Sequence, residues 1–189
     1  AIPQNSREEL DANRFLITEK IPVRETWEAM EDLVKAGLVK EIGVANFTAP
    51  MLIDLLTYSK IQPAVNQIEL HPYLQQPELI EFCKYKNITV TAYSPLGSPG
   101  NYAPKDTSPL SKNETICEIA RAHAKTPAQI LLRWGIQRNT VVIPKSVTKE
   151  RIKENIDVFD FELTKDEMKQ ITGLNRNLRF VNPSEWWKI

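Results

Sequence analysis

Along the chain, helix-period apolar stretches alternate with short runs rich in β-branched side chains. VRETWEAMEDLVKAG places Trp27, Met30 and Val34 on one helical stripe, and Gly37 stands where a helix would stop. EIGVAN then reads as a short buried strand, and TAPMLIDLLTYS as a helix with Thr48 as cap and Pro50 in its first turn. AVNQIEL is the next strand, QPELIEFCKYKN a helix that Asn87 ends, and ITVTAYS a further strand. TPAQILLRWGIQRN, with Thr126 as cap and Pro127 at the first helical position, leads into the strand TVVIP. One helix opens after Thr148 and a last one at Thr164, where Thr164 and Glu167 make a capping box. The opening segment shows no clear period.

Helices alternating with short, nearly all-apolar strands predict an α/β fold whose parallel sheet is covered on both faces. Each strand acquires polar groups toward its C-terminal end: Asn46, Gln67, Tyr93 with Ser94, and Lys145 with Ser146. A (β/α)8 barrel keeps its active site there, and a doubly wound sheet also binds ligands at strand ends, so the placement favours the barrel only modestly. No GxGxxG follows a strand, which argues against a dinucleotide-binding sheet. The proline-rich connection from Ser94 to Asn113 has no secondary-structure period and reads either as a lid or as a surface insertion.

The length of 189 residues suits one globular core, and residues 1–189 are expected to form a single domain or part of one. Lys plus Arg equals Asp plus Glu at 24 each, so no global field recruits nucleic acid or an acidic membrane, and any phosphate site must be local. No membrane span or secretory leader is visible, and the default expectation is a cytoplasmic protein. Cys83 and Cys117 make no ligand spacing and read as reduced core thiols; no metal site is expected.

TVVIPKSVTKERIKEN brings a lysine, two hydroxyls and an arginine to one turn after an apolar strand. Fixed cationic donors of this kind suit an isolated phosphate monoester, whereas a glycine-rich loop serves a pyrophosphate; the competing reading is a solvated helix face. A helix beginning after Thr148 would add its free N–H groups. Taken together, GVANF, NQIELHPY, AYSPLGSP and IPKSVTKERIKEN, in this order, resemble the aldo-keto reductase superfamily from about Val23 onward. The resemblance implies a (β/α)8 barrel that binds NADPH/NADP+ in extended form and reduces aldehydes and ketones, possible aldose sugars among them, by direct hydride transfer. It implies that Lys145, Ser146 and Arg151 hold the 2′-phosphate, that Val147 and Thr148 belong to the same cofactor segment, and that Glu154 and Asn155 contact the adenine end. Tyr93 would stack on the nicotinamide, with a core tyrosine as the other reading. Asn46 and Gln67 would bond the carboxamide, and Ser94, Leu96 and Ser98 would lie in a cofactor-covering loop, residues 94–112. A small-molecule carbonyl substrate and a monomer or weak homodimer follow from the same likeness.

The chain departs from the family pattern at Ala45, where many members have serine, and around Tyr102 and Ala103, where some relatives place a tryptophan. The tail NLRFVNPSEWWKI is similar to sugar-reducing members; residues 175–189 are expected to form a loop at the substrate pocket, with Trp186 and Trp187 either in it or packed away. The family protonates the developing alkoxide with a tyrosine whose pKa is lowered by a lysine paired to an aspartate, while a histidine orients the carbonyl. None of these is found here: His71 reads as a structural residue of the HPY turn, and His123 lies on a helix. Four core strands are expected where a barrel needs eight and about 250 residues. The sequence therefore reads as the C-terminal half of a reductase, with no catalytic residue of its own. The alternative is a non-catalytic relative that binds NADPH for structural, sensory or partner-binding ends.

Overall fold

Helix and strand alternate from Val23 to Thr172 in a computed structural model that describes residues 20–97 and 107–181. Strands β1 (Gly43–Ala45), β2 (Val65–Glu69), β3 (Thr89–Tyr93) and β4 (Val141–Val142) form one parallel sheet in the order β1-β2-β3-β4. The helices are α1 (Val23–Lys35), α2 (Ala49–Tyr58), α3 (Pro77–Tyr85), α4 (Glu114–Ala122), α5 (Pro127–Gln137), α6 (Lys149–Ile156) and α7 (Lys165–Thr172). Each strand pairs with the next in sequence, so among the described residues the order never reverses and no switch point of the doubly wound kind occurs. Among the described residues the four strands do not close on themselves.

Register decides which side chains share a face. Val44 pairs with Asn66, Asn66 with Val90, and Ala92 with Val142. Because side chains alternate along a strand, these residues and Ile68 lie on the helix-covered face, packed with Leu52 of α2 and Cys83 of α3. The other face carries Gln67, Glu69, Thr91, Tyr93 and Val141. The expectation of strands buried equally on both faces is therefore corrected: Val141 and Ile143 are 49% and 43% exposed. The predicted strand TVVIP shrinks to two paired residues. Pro144 has no N–H to continue the ladder, and the Ile143 N–H makes its last bond, to the Ala92 carbonyl at 3.2 Å.

A second core joins α4, α5 and α7 through Ile116, Ile119, Ile130, Leu131, Trp134 and Ile171. A third packs Trp27 of α1 against Ile42 and Leu55. Thr164 and Glu167 form the predicted capping box, Thr126 caps α5 as predicted and adds a box with Gln129 that was not foreseen, and Gly37 (φ +70) and Asn87 (φ +56) take the left-handed conformation after α1 and α3. Thr48 and Thr148 occupy N-cap positions without making a side-chain capping bond. At Thr48 the proline in the first turn removes one of the two amides that such an oxygen accepts.

Helix α4, on which His123 was expected to lie, is capped by Asn113, whose side chain accepts the Ile116 N–H at 3.3 Å. Its inner stripe is Ile116, Ile119 and Ala120, which leaves Cys117 half-buried with Sγ 3.5 Å from the Ser111 carbonyl. Cys117 is thus not a core thiol, whereas Cys83 is; both are free. No helix among the described residues is long and apolar enough to cross a membrane.

Candidate functional site

The parallel sheet brings the ends of its four strands to one side, and the predicted cofactor residues follow that edge in chain order. At the first corner, Asn46 is exposed with φ +60, and its N–H bonds the Gln67 carbonyl at 2.8 Å. Asparagine tolerates this left-handed conformation better than most residues. What fixes the corner is Asn66, fully buried in β2: its Nδ2 donates to the Phe47 carbonyl at 2.9 Å and its Oδ1 accepts the Phe47 N–H at 3.4 Å. Asn66 escaped the sequence reading, although a second amide beside Gln67, between Val65 and Ile68, was the available signal. Ala45, where a serine would be expected, pairs with Gln67.

At the next two strands, Gln67 is half-buried, and Glu69 pairs in register with the half-buried Tyr93. Burial pushes the Tyr93 hydroxyl above the ordinary tyrosine range and Glu69 adds to the shift, while Arg179 opposes both by its charge. Glu69 and Arg179 were also missed. Fully buried His71 has its Nε2 2.9 Å from Glu69, and its Nδ1 has no hydrogen-bond partner. This agrees with a structural His71. His123 stands at the end of α4, with Nε2 2.8 Å from Glu167.

Ser94 leaves β3 with φ +50, a left-handed conformation that strains a residue with a side chain, and its carbonyl accepts the Gly97 N–H at 2.9 Å. Leu96 packs against the core that contains Leu110, and Leu110 to Lys112 form a 3-10 turn. The far end of the long connection is therefore ordered and anchored, which corrects its reading as wholly without secondary structure. Ser98, Tyr102, Ala103, Trp186 and Trp187 lie outside the described residues.

After β4, Lys145, Val147, Thr148 and Arg151 are exposed, while Ser146, Glu154 and Asn155 are half-buried. The Ser146 hydroxyl accepts the Thr148 N–H at 3.2 Å, which folds the segment into a local turn ahead of α6. Lys125 is engaged by Asp157 at 3.0 Å and Asp160 at 2.7 Å, and Arg133 by Glu162 at 3.1 Å. Among the described residues Lys145 and Arg151 have no such carboxylate partner. Glu154 accepts a hydrogen bond from the Thr126 hydroxyl and so ties α6, which buries no residue, to the cap of α5. One end of the sheet thus offers amides and an aromatic ring for a flat polar group, and two uncompensated cations with hydroxyls for an anion. No cluster of three or more metal-ligating side chains occurs among the described residues.

Comparison with known proteins gives this geometry a family. The aldo/keto reductase family model matches residues 11–176. Aldo-keto reductase family 1 member A1-A of Danio rerio is 51% identical over 162 residues, covering 85% of this chain and 50% of that protein. The NAD(P)H-dependent D-xylose reductase of Scheffersomyces stipitis is 50% identical over 177 residues, 90% of this chain and 55% of that protein. Aldose reductase B of Dictyostelium discoideum is 49% identical over 169 residues, 89% of this chain and 52% of that protein. The chain spans about half the length of these curated relatives. With a match this long, and parallel strands that carry the amides, the tyrosine and the cationic turn at one common end, the chain belongs to the aldo/keto reductase family.

Proposed function

We propose that this chain supplies the cofactor-binding part of an NADPH-dependent reductase that converts aldehydes and ketones, aldose sugars among them, to alcohols. The observation that carries the reading is the alignment of Asn46, Gln67, Tyr93 and the Lys145–Thr148 turn along one end of a parallel sheet. The residues fit the cofactor: exposed Lys145 and Arg151 are cations without carboxylate partners among the described residues, as a 2′-phosphate requires. In this reading Ser146, Val147 and Thr148 complete the phosphate turn, and Glu154 and Asn155 meet the adenine, Glu154 exchanging its bond from Thr126 for that contact. Asn46 and Gln67 hold the carboxamide, and the Tyr93 ring fixes which face of the nicotinamide meets the carbonyl. Ser94, Leu96 and Ser98 cover the pyrophosphate within loop 94–112, and residues 175–189 border the substrate pocket. When bound, the reduced cofactor supplies the hydride.

The fold that suits this role is a (β/α)8 barrel in which residues 1–189 form the C-terminal half of a single domain. The proton-donating tyrosine and its lysine, aspartate and histidine partners then belong to the part of the relatives' length that this chain does not span. The relatives' names, an aldose reductase and NAD(P)H-dependent xylose reductases among them, support a small carbonyl substrate. The test is NADPH absorbance decay with a panel of aldehydes and aldoses, comparing the 189 residues alone with the complete natural protein. Turnover is expected only from the complete protein. Robust turnover by the 189 residues alone would show that the acid catalyst lies among them and overturn the division of labour.

A further inference from the structure

Glu69 has no exposed surface, yet it is a carboxylate at the end of β2, in register with Tyr93. Its oxygens are fully used. Oε1 accepts the Phe180 N–H at 2.7 Å and lies 2.9 Å from His71 Nε2, and Oε2 accepts the Val181 N–H at 3.0 Å with an Arg179 Nη1 at 3.9 Å. Three consecutive residues near the end of the chain thus converge on one side chain made 111 positions before Phe180. The Phe180 ring, 4.6 Å from the His71 ring and 6.5 Å from the Tyr73 ring, pins the same segment from its apolar side. The positive charge of Arg179 also acts on the Tyr93 hydroxyl, against the upward push of burial on its pKa. Separating them would leave the buried Glu69 side chain and the Phe180 and Val181 amides without these partners, so the segment and the strand end are mutually dependent.

We propose that Glu69 is a positioning residue that clamps Arg179, Phe180 and Val181 beside the strand ends carrying Gln67 and Tyr93, and so sets the wall against which the carbonyl substrate docks. The inference rests on the reductase reading, which takes those strand ends as the nicotinamide site. Glu69 itself touches neither substrate nor cofactor: it acts through the backbone of the segment and through Arg179. Two consecutive amides held by one carboxylate fix the position and orientation of the backbone at Phe180 and Val181.

The test uses the complete natural protein and two variants. Glu69→Gln keeps the shape but turns an NH2 group toward a backbone N–H. Val181→Pro removes one donor from the other side and leaves the buried strand untouched. In Glu69→Gln, amide exchange at Phe180 and Val181 should accelerate at least about tenfold while α5 keeps its protection, so that global unfolding is recognised. In both variants KM for aldehydes should rise about tenfold, with the NADPH dissociation constant, read by fluorescence quenching, moving less than about threefold. Unchanged exchange in Glu69→Gln overturns the clamp. Faster exchange with unchanged KM overturns the positioning role and leaves a structural clasp. A complete protein that neither binds NADPH nor reduces an aldehyde sinks the reductase reading and the positioning role with it, whatever the exchange shows.

Discussion

Arg151 and Lys145 stand apart from Lys125 and Arg133 in facing solvent rather than a carboxylate. If the Arg151 guanidinium holds a 2′-phosphate, its removal costs one charge-assisted hydrogen bond, about 1.5–3 kcal/mol. Arg151→Ala should therefore weaken NADPH about ten- to a hundredfold and leave NADH nearly untouched, as titration of both cofactors by fluorescence quenching would read. Equal losses for the two would remove the phosphate assignment. At this scale the sequence was legible where polar side chains end apolar strands, because a lysine after TVVIP or a tyrosine closing ITVTAY has few roles in a core. It was silent on Asn66, Glu69 and Arg179. Their partners are Phe47, Phe180 with Val181, and the Glu69 side chain, pairings that only the folded chain brings together.

Single elements were legible where local chemistry decides them. The cap at Thr126, the capping box at Thr164 and the left-handed residues after α1 and α3 depend on neighbours within a few positions. The truncation of β4 depends on Pro144 together with its place at one edge of the described sheet, and only the proline was visible beforehand. Helix α1 shows how an element is then fixed to the rest. Glu31, nearly fully buried, accepts the N–H groups of Lys60 at 2.7 Å and Ile61 at 2.9 Å, and the Trp27 indole N–H donates to the Ile61 carbonyl at 3.1 Å. The Ile61 amide is the chief influence holding the Glu31 carboxyl below the ordinary glutamate range, against the upward push of burial. A depressed carboxyl stabilises the fold above its unfolded pKa, and that contribution is lost as pH falls through the folded pKa. Glu31→Gln should therefore lower stability to urea at neutral pH and flatten the loss of stability on acidification. An unchanged pH slope would mean that the carboxylate form of Glu31 does not matter to α1 docking.

For the molecule as a whole, the face of the sheet that carries Gln67 and Tyr93 also presents Val141 and Ile143, and both outer strands have one edge unpaired among the described residues. Open edges beside apolar side chains pair with other chains. If, as proposed, these 189 residues are half of a barrel, they should self-associate at micromolar concentration when expressed alone, as sedimentation would read. A monodisperse, cooperatively folded 189-residue chain would count against its being half of a barrel. The clamp on Glu69 has a further consequence, for the order of events during synthesis. Chains fold as they emerge, N-terminal parts first, and closing a long loop is slow. Glu69 leaves the ribosome 111 residues ahead of the Phe180 amide that will hold it. Until that amide arrives, the carboxylate needs water, so the end of β2 stays hydrated and open while the helices behind it are already packing. A chain cut short before Phe180 lacks both amide donors to Glu69, and its β2 end is expected to be more open to proteolysis than that of the longer chain.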